Sequence, residues 1–214
     1  MKSILFIAPP AAGKDSQASL VSDLYKIPKI STGDLLRKAN NPEINKIMKD
    51  GTLVNTDFTI ELLRNRFLVG DCSNGYILDG FPRTINQAKA YEKLLDELGI
   101  PEGIVIVLNI DKEISRRRII GREVCVNCTS IYNELFEERK PKIKGICDNC
   151  GSTLTRRIDD NNETFENRYS IYLKETEPLI KYYENKGIVY HVDSSINEEN
   201  TFMQIKKIIG GVND

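Results

Sequence analysis

The stretch IAPPAAGKDSQAS, Ile7 to Ser19, sets a glycine, a lysine and a hydroxyl in the order that phosphate cradles use. It departs from G-x-x-x-x-G-K-[ST] twice: Ala8 stands for the first glycine, and Asp15 for the hydroxyl after Lys14. The stretch follows an apolar run and precedes a helical pattern. A tight loop there aims backbone N–H groups and a helix N-terminus at one point, where phosphate oxygens bind. Lys14 adds a cation, and Ser16 can serve Mg²⁺ or a phosphate. The plain alternative is a strand-to-helix turn with no ligand. A second stretch, GYILDGFPRTINQA (75–88), ends an apolar run on Asp79, where a carboxylate can meet the Mg²⁺ of a nucleotide on a neighbouring loop. Gly80 allows close approach of a ligand, and Arg83 can grip a phosphate with two parallel hydrogen bonds.

Two basic clusters follow, SRRRIIGRE (115–123) and RRIDDNNETFENR (156–168). Arg118 and Arg122 are four apart, on one helical face if the helix continues that far. Arg157 and Arg168 come near them if the two stretches lie side by side. Basic residues at both hinges of one insertion suit a lid that closes over phosphates. Between the clusters, Cys125-x2-Cys128 and Cys147-x2-Cys150 are separated by 18 intervening residues, the spacing of a four-cysteine zinc site. With all four positions filled by protein, such a metal is structural and not catalytic. The fifth cysteine, Cys72, reads as an inert, semi-buried thiol, and His191, inside the last strand pattern, as a packed side chain.

The elements that position these groups follow from hydrophobic pattern. Apolar runs at 4–8, 76–79, 104–110 and 188–193, with a shorter one at 28–31, alternate with helical patterns at 14–25, 32–39, 57–69, 84–98, 111–120, 164–186 and 198–209. This is the signature of a doubly wound α/β fold: a five-stranded parallel sheet of the P-loop type, covered on both faces, with ligands outside the carboxyl ends of the strands. Residues 123–158 lack helical period and interrupt the alternation as a small inserted lobe. The 214 residues are 40% hydrophobic and 29% charged with a net charge of -1, so no general field draws nucleic acid or an anionic membrane. No apolar run approaches a membrane span, and the N-terminus lacks the layout of a signal peptide. A cytoplasmic protein is expected, and paired cysteines in a reducing compartment favour metal over disulfides.

Taken in order, these pieces resemble the adenylate kinases of the long, zinc-bearing bacterial type, from Met1 to about residue 209. The family's loop G-P-P-G-A-G-K-G-T has its hydroxyl two places after the lysine, so Ser16 takes the threonine position. Ala8, Ala11 and Asp15 depart from glycines. The resemblance implies ATP held by Ala11, Ala12, Gly13, Lys14, Asp15, Ser16, Arg118 and Arg122. It implies AMP held by Thr32 and Arg37 of STGDLLR, Leu53 and Val54 of GTLV, Gly80, Arg83 and Gln87, with Arg157 and Arg168. Catalysis would fall to Lys14, Arg83, Arg118, Arg122, Arg157 and Arg168, with Ser16 and Asp79 beside Mg²⁺ and zinc on Cys125, Cys128, Cys147 and Cys150. RIDD (157–160) matches the lid's exit motif, with Asp159 and Asp160 in place. The family's histidine after the lid tyrosine is absent, since Asn133 follows Tyr132. The expected organisation is a core of 1–30, 60–121 and 160–214, a helical AMP-binding subdomain of 31–59 and a zinc-ribbon-like lid of 122–159. The expected reaction is MgATP + AMP ⇌ 2 ADP in a monomer with no nucleic-acid or membrane partner. Rival readings are a UMP/CMP kinase on the same fold, a non-catalytic nucleotide-binding protein, and a zinc ribbon for nucleic acid.

Overall fold

The computed structural model describes residues 3–49, 52–128, 130–157 and 160–213. All five apolar runs form strands, each trimmed by one residue: β1 (Ile4–Ile7), β2 (Lys29–Ser31), β3 (Ile77–Asp79), β4 (Ile104–Asn109) and β8 (Val189–Asp193). They pair in parallel in the order β2-β3-β1-β4-β8. Side chains alternate across the sheet. Leu5, Ile7, Val105 and Val107 face one core cluster; Ile4, Phe6, Ile104, Ile106 and Leu108 face the other. Because both faces are buried, the strands read as continuous apolar runs.

Helices close the two faces. On one side α4 (Thr56–Phe67), α5 (Ile85–Leu98) and α8 (Glu177–Glu184) bring Leu63, Tyr91, Leu94, Leu179 and Tyr183. On the other, α1 (Lys14–Tyr25) and α9 (Glu198–Asn213) bring Ala18, Val21, Ile205 and Ile209. Among the described residues no helix is long and apolar enough to cross a membrane.

Between β2 and β3, α2 (Thr32–Lys38) and α3 (Pro42–Lys49) precede α4. The hydrophobic pattern did not resolve α3. Its start signal was there: Asn41 caps the helix, its Oδ1 accepting from the N–H of Glu43 at 2.9 Å, and Pro42 fills the first helical position. Ile44 then packs with Leu36 and Val54 in a separate small cluster.

Two other expectations need correction. The single helix over 164–186 is three pieces: α7 (Asn162–Ile171), a π-helical turn (Tyr172–Thr176) and α8. Pro178, in the first turn of α8, has no N–H and its ring opposes the carbonyl four residues back, so the i→i−4 ladder is interrupted there. His191 is not packed. It lies on the edge strand β8, exposed, with Nε2 2.9 Å from Glu184 Oε1 and Nδ1 3.2 Å from Asn109 Nδ2.

The inserted lobe is a three-stranded antiparallel sheet of β5 (Arg122–Cys125), β6 (Ile131–Asn133) and β7 (Leu154–Thr155), in the order β6-β5-β7. Its two stems do lie side by side. α6 (Lys112–Ile120) meets α7 through Lys112–Glu166 at 2.7 Å and Arg116 to Asn162 Oδ1 at 3.0 Å. The helix does not continue to Arg122: α6 ends at Gly121, where a Cβ would stand 2.3 Å from Asn133 Oδ1.

Candidate active site

A cleft of about 1090 Å³ opens at the carboxyl ends of the parallel strands. All the nucleotide-site residues picked from the sequence line it: Ala11 to Ser16, Thr32, Arg37, Leu53, Val54, Asp79, Gly80, Arg83, Gln87, Arg118, Arg122, Arg157 and Arg168. They come from segments up to 157 positions apart, yet one concave surface gathers them.

The loop after β1, the central strand, forms the floor. Helices α2, α4, α5, α6 and α7 each begin on a Ser, Thr, Asn or Asp whose side chain caps their first N–H groups. α1 begins instead on Gly13 at φ 86°, with no side-chain cap. The N–H groups of Lys14, Asp15 and Ser16 precede the first intrahelical bond, which runs from Gln17 to Gly13 O at 3.0 Å. They are thus left for an anion. Ala8 keeps a negative φ and packs against the core, so its Cβ costs nothing. Ala11 sits at φ 55°, where a side chain costs about 1–2 kcal/mol relative to glycine.

Lys14 reaches into the cleft and pairs with Asp79, the buried residue at the end of β3. Burial, and then the charge of Arg83, press the Lys14 ammonium toward its neutral form, and the charge of Asp15 nearby opposes this. Asp15 itself turns sideways: its Oδ1 accepts from Lys29 Nζ at 2.8 Å, and its side chain is 67% exposed. The Asp79 carboxylate and the half-buried Ser16 hydroxyl are hard oxygen donors on adjacent elements of the cleft, a donor set that suits Mg²⁺.

On the opposite side, Thr32 at the start of α2 donates its hydroxyl to Asp79 O at 3.1 Å, tying α2 to β3. Gly80 follows at φ 86°, and a Cβ there would stand 2.9 Å from Thr32 Oγ1. Arg83 is aimed by its own backbone surroundings. Its Nε donates to Gly80 O at 2.9 Å, its N–H to Gln87 Oε1 at 2.8 Å, and its carbonyl accepts from Thr176 Oγ1 at 3.1 Å. Burial, and then the charge of Arg168 on α7, lower the pKa of Arg83, and both guanidinium groups line the same cleft. Repulsion between such cations is relieved by a polyanion.

Arg118, at the end of α6, donates to Ser194 O at 2.9 Å in the loop after β8. Arg122 grips the nearly fully buried carboxylate of Asp160 with two bonds, the Nε one at 2.8 Å, which joins the entry and exit of the inserted lobe. Ile158 and Asp159 of the exit motif, and Gly51 of GTLV, lie outside the described residues.

Two contacts of the inserted lobe were missed from sequence. Arg139, in a 3₁₀ turn after β6, forms an ion pair with Glu198 at the start of α9, so the inserted lobe touches α9 across the cleft. Asn133 is buried; its Nδ2 donates to Arg118 O at 2.9 Å and its Oδ1 accepts from Leu135 N–H at 2.9 Å. The residue in the family's histidine position therefore fastens β6 to the end of α6. Nothing local in the sequence marked either contact, because their partners lie 59 and 15 positions away.

The four cysteines converge. Their Sγ atoms all lie within 4.8 Å of one another, with Cys125–Cys150 at 3.4 Å and Cys128–Cys147 at 3.5 Å. Zinc with Zn–S near 2.3 Å asks for tetrahedron edges of about 3.8 Å, so the donor set is compatible with structural zinc. Tyr132 OH lies 3.5 Å from Cys147 Sγ and accepts from Asp148 N–H at 2.8 Å, steadying the second turn. Cys72 is half-buried, and burial pushes its thiol up to about 11, consistent with an inert role.

A family model described as Adenylate kinase matches residues 6–188. The adenylate kinase of Allorhizobium ampelinum is 42% identical over 216 residues, covering 98% of this chain and 99% of the relative. That of a Geobacillus strain is 39% identical with the same coverage, and that of Archaeoglobus fulgidus is 41% identical over 97% of each chain. With matches of this length and identity along nearly all of its sequence, the chain belongs to the adenylate kinase family.

Proposed function

We propose that this chain catalyses reversible phosphoryl transfer, MgATP + AMP ⇌ 2 ADP, with ATP phosphates on the loop of Ala11–Ser16 and AMP between α2, Val54 and the Gly80–Gln87 turn. The observation that carries the reading is one cleft. In it an uncapped helix N-terminus with Lys14 faces Arg83, and four further arginines stand on the stems of a closable lobe.

Phosphoryl transfer asks a protein for position and charge more than for covalent chemistry. The N–H groups of the loop and Lys14 hold the β- and γ-phosphates, with Lys14 exchanging Asp79 for phosphate oxygens. Arg83, aimed by Gly80 O and Gln87, holds the phosphate of AMP, whose own oxygen is the nucleophile. Arg118, Arg122, Arg157 and Arg168 neutralise charge as it spreads over the moving group. Leu53, Val54, Thr32, Arg37 and Gln87 select and seat AMP. Closure of the lid excludes water and so prevents hydrolysis. Mg²⁺, held beside Ser16 and Asp79, would neutralise phosphate charge and orient the β- and γ-oxygens.

The same reading divides the chain into a core (1–30, 60–121 and 160–214), an AMP-binding subdomain (31–59) and a lid (122–159) stabilised by one zinc on Cys125, Cys128, Cys147 and Cys150. We place it in the cytoplasm as a monomer, with ATP, AMP and ADP as its ligands and neither nucleic acid nor membrane as a partner. A coupled assay of ADP formation from MgATP with AMP, UMP or CMP tests the substrate. AMP is the expected acceptor; a preference for UMP or CMP would overturn the assignment of Thr32 and Gln87.

A further inference from the structure

Asp15 sets a problem that the cleft must solve. It is the second residue of α1, beside the same uncapped N–H groups that await phosphate. A carboxylate in a helix's first turn is favourable for the dipole. Here it would compete with a polyphosphate for those donors and repel it.

The structure shows how the conflict is met. Lys29, fixed on β2 by its register opposite Ile77, sends its ammonium across to α1. It lies 2.8 Å from Asp15 Oδ1 and 2.8 Å from Ser19 Oγ, one turn further along α1. Ser19 in turn donates to Asp15 O at 3.1 Å, so one lysine is held by two groups of one helix face. Lys29 also bears on its charged neighbours: it adds to the pressure on Lys14 and draws down the carboxyl of Asp34, whose main partner is Arg37. Lysine on the strand and aspartate on the helix thus act as one unit.

We propose that Lys29 is a positioning residue for the ATP side: it cancels the Asp15 charge and holds that carboxylate away from the phosphate-binding N–H groups of α1. The inference rests on the reading of this loop as the ATP site. Lys29 acts through Asp15, so its value depends on a negative charge at position 15. A lysine that touched phosphate directly would matter whatever stood there.

The test is a double-mutant cycle on the full-length, metal-loaded protein, titrating MgATP by calorimetry. Lys29→Met is expected to raise the Kd for MgATP about tenfold, the scale of one charge acting a few ångströms from a polyanion at a partly screened site. It should raise the Kd for AMP far less, since the hydrogen bonds of Lys29 run to Asp15 and Ser19 of α1 and not to Thr32 or Arg37. Asp15→Asn, which removes the charge, should tighten MgATP binding about two- to threefold by the same electrostatic reasoning. In the Asp15→Asn background, Lys29→Met should cost no more than about twofold, because the pair it broke is gone. Lys29→Arg, which keeps the cation, should restore most of the affinity. Melting temperatures check each fold, and Lys29→Gln replaces the methionine variant if that one melts early. Equal losses from Lys29→Met in both backgrounds, or no loss in either, would overturn the proposal while leaving the ATP site in place. A wild-type protein that binds no MgATP at millimolar concentration would overturn both together.

Discussion

Replacing Gly80 by alanine should injure the AMP side of the cleft by two separable routes. Gly80 holds φ 86°, a conformation that costs an L side chain about 1–2 kcal/mol. The new Cβ would also stand 2.9 Å from Thr32 Oγ1, the hydroxyl that donates to Asp79 O. Thr32 is buried, so its hydroxyl must move, and the lost hydrogen bond adds about 0.5–1.5 kcal/mol. The sum is about 1.5–3.5 kcal/mol, which for a chain of this length lowers the melting temperature by about 3–14 °C. Because Thr32 starts α2 and Arg83 Nε leans on Gly80 O, the KM for AMP should rise several-fold more than the KM for MgATP. Gly99→Ala is the control: φ is 64°, but nothing lies within 4 Å of its Cβ, so it should pay the backbone cost alone. Calorimetric melting and steady-state kinetics measure both routes. A Gly80→Ala protein with wild-type melting and wild-type KM for AMP would refute the reasoning.

Other substitutions probe the remaining parts. Arg83→Ala should lower kcat/KM for AMP by about 10²-fold or more while changing the Kd for MgATP far less, since removal of a charge-assisted phosphate contact is felt by the nucleotide that uses it; equal losses for both nucleotides would reverse the assignment. Asn133→Ala should cost about 1 kcal/mol by leaving the part-buried Arg118 carbonyl and Leu135 N–H without their partner, read by chemical denaturation, and a neutral result would remove Asn133 as the fastening of the inserted lobe to α6. Replacing Cys147 and Cys150 by serine should abolish about one equivalent of bound zinc and lower the melting temperature more than it lowers turnover at moderate temperature, because a four-thiolate site leaves no open coordination position for catalysis.

What could be read from the sequence was what local pattern encodes. The five strands were legible because a doubly covered parallel sheet leaves continuous apolar runs such as ILFI and IVIVLN. Lys14, Ser16, Asp79, Gly80, Arg83 and the arginines flanking the inserted lobe were legible from their places at a strand end, a helix start or a hinge, whereas Thr32, Arg37, Leu53, Val54 and Gln87 were legible only through the family resemblance. Helix α3 was overlooked because its evidence was a cap and a proline rather than a long stripe. The break before α8 needed the effect of Pro178 on the preceding turn to be weighed against an otherwise helical stretch. His191 was misjudged because the alternation along β8 does not reveal that β8 is an edge strand. The pairs Arg139–Glu198, Arg122–Asp160 and Lys29–Asp15 depend on the tertiary fold, and only the bundle of strands and stems brings each pair together.

The most direct measurement of the central claim is ³¹P NMR of equal amounts of MgATP and AMP with a catalytic quantity of the protein. The expected result is a fall of the ATP β-phosphate signal to a steady level, two ADP formed per ATP consumed, no inorganic phosphate, and the same final mixture when the reaction starts from ADP alone. Accumulation of inorganic phosphate with AMP untouched, or no change in any signal, would contradict phosphoryl transfer in this cleft.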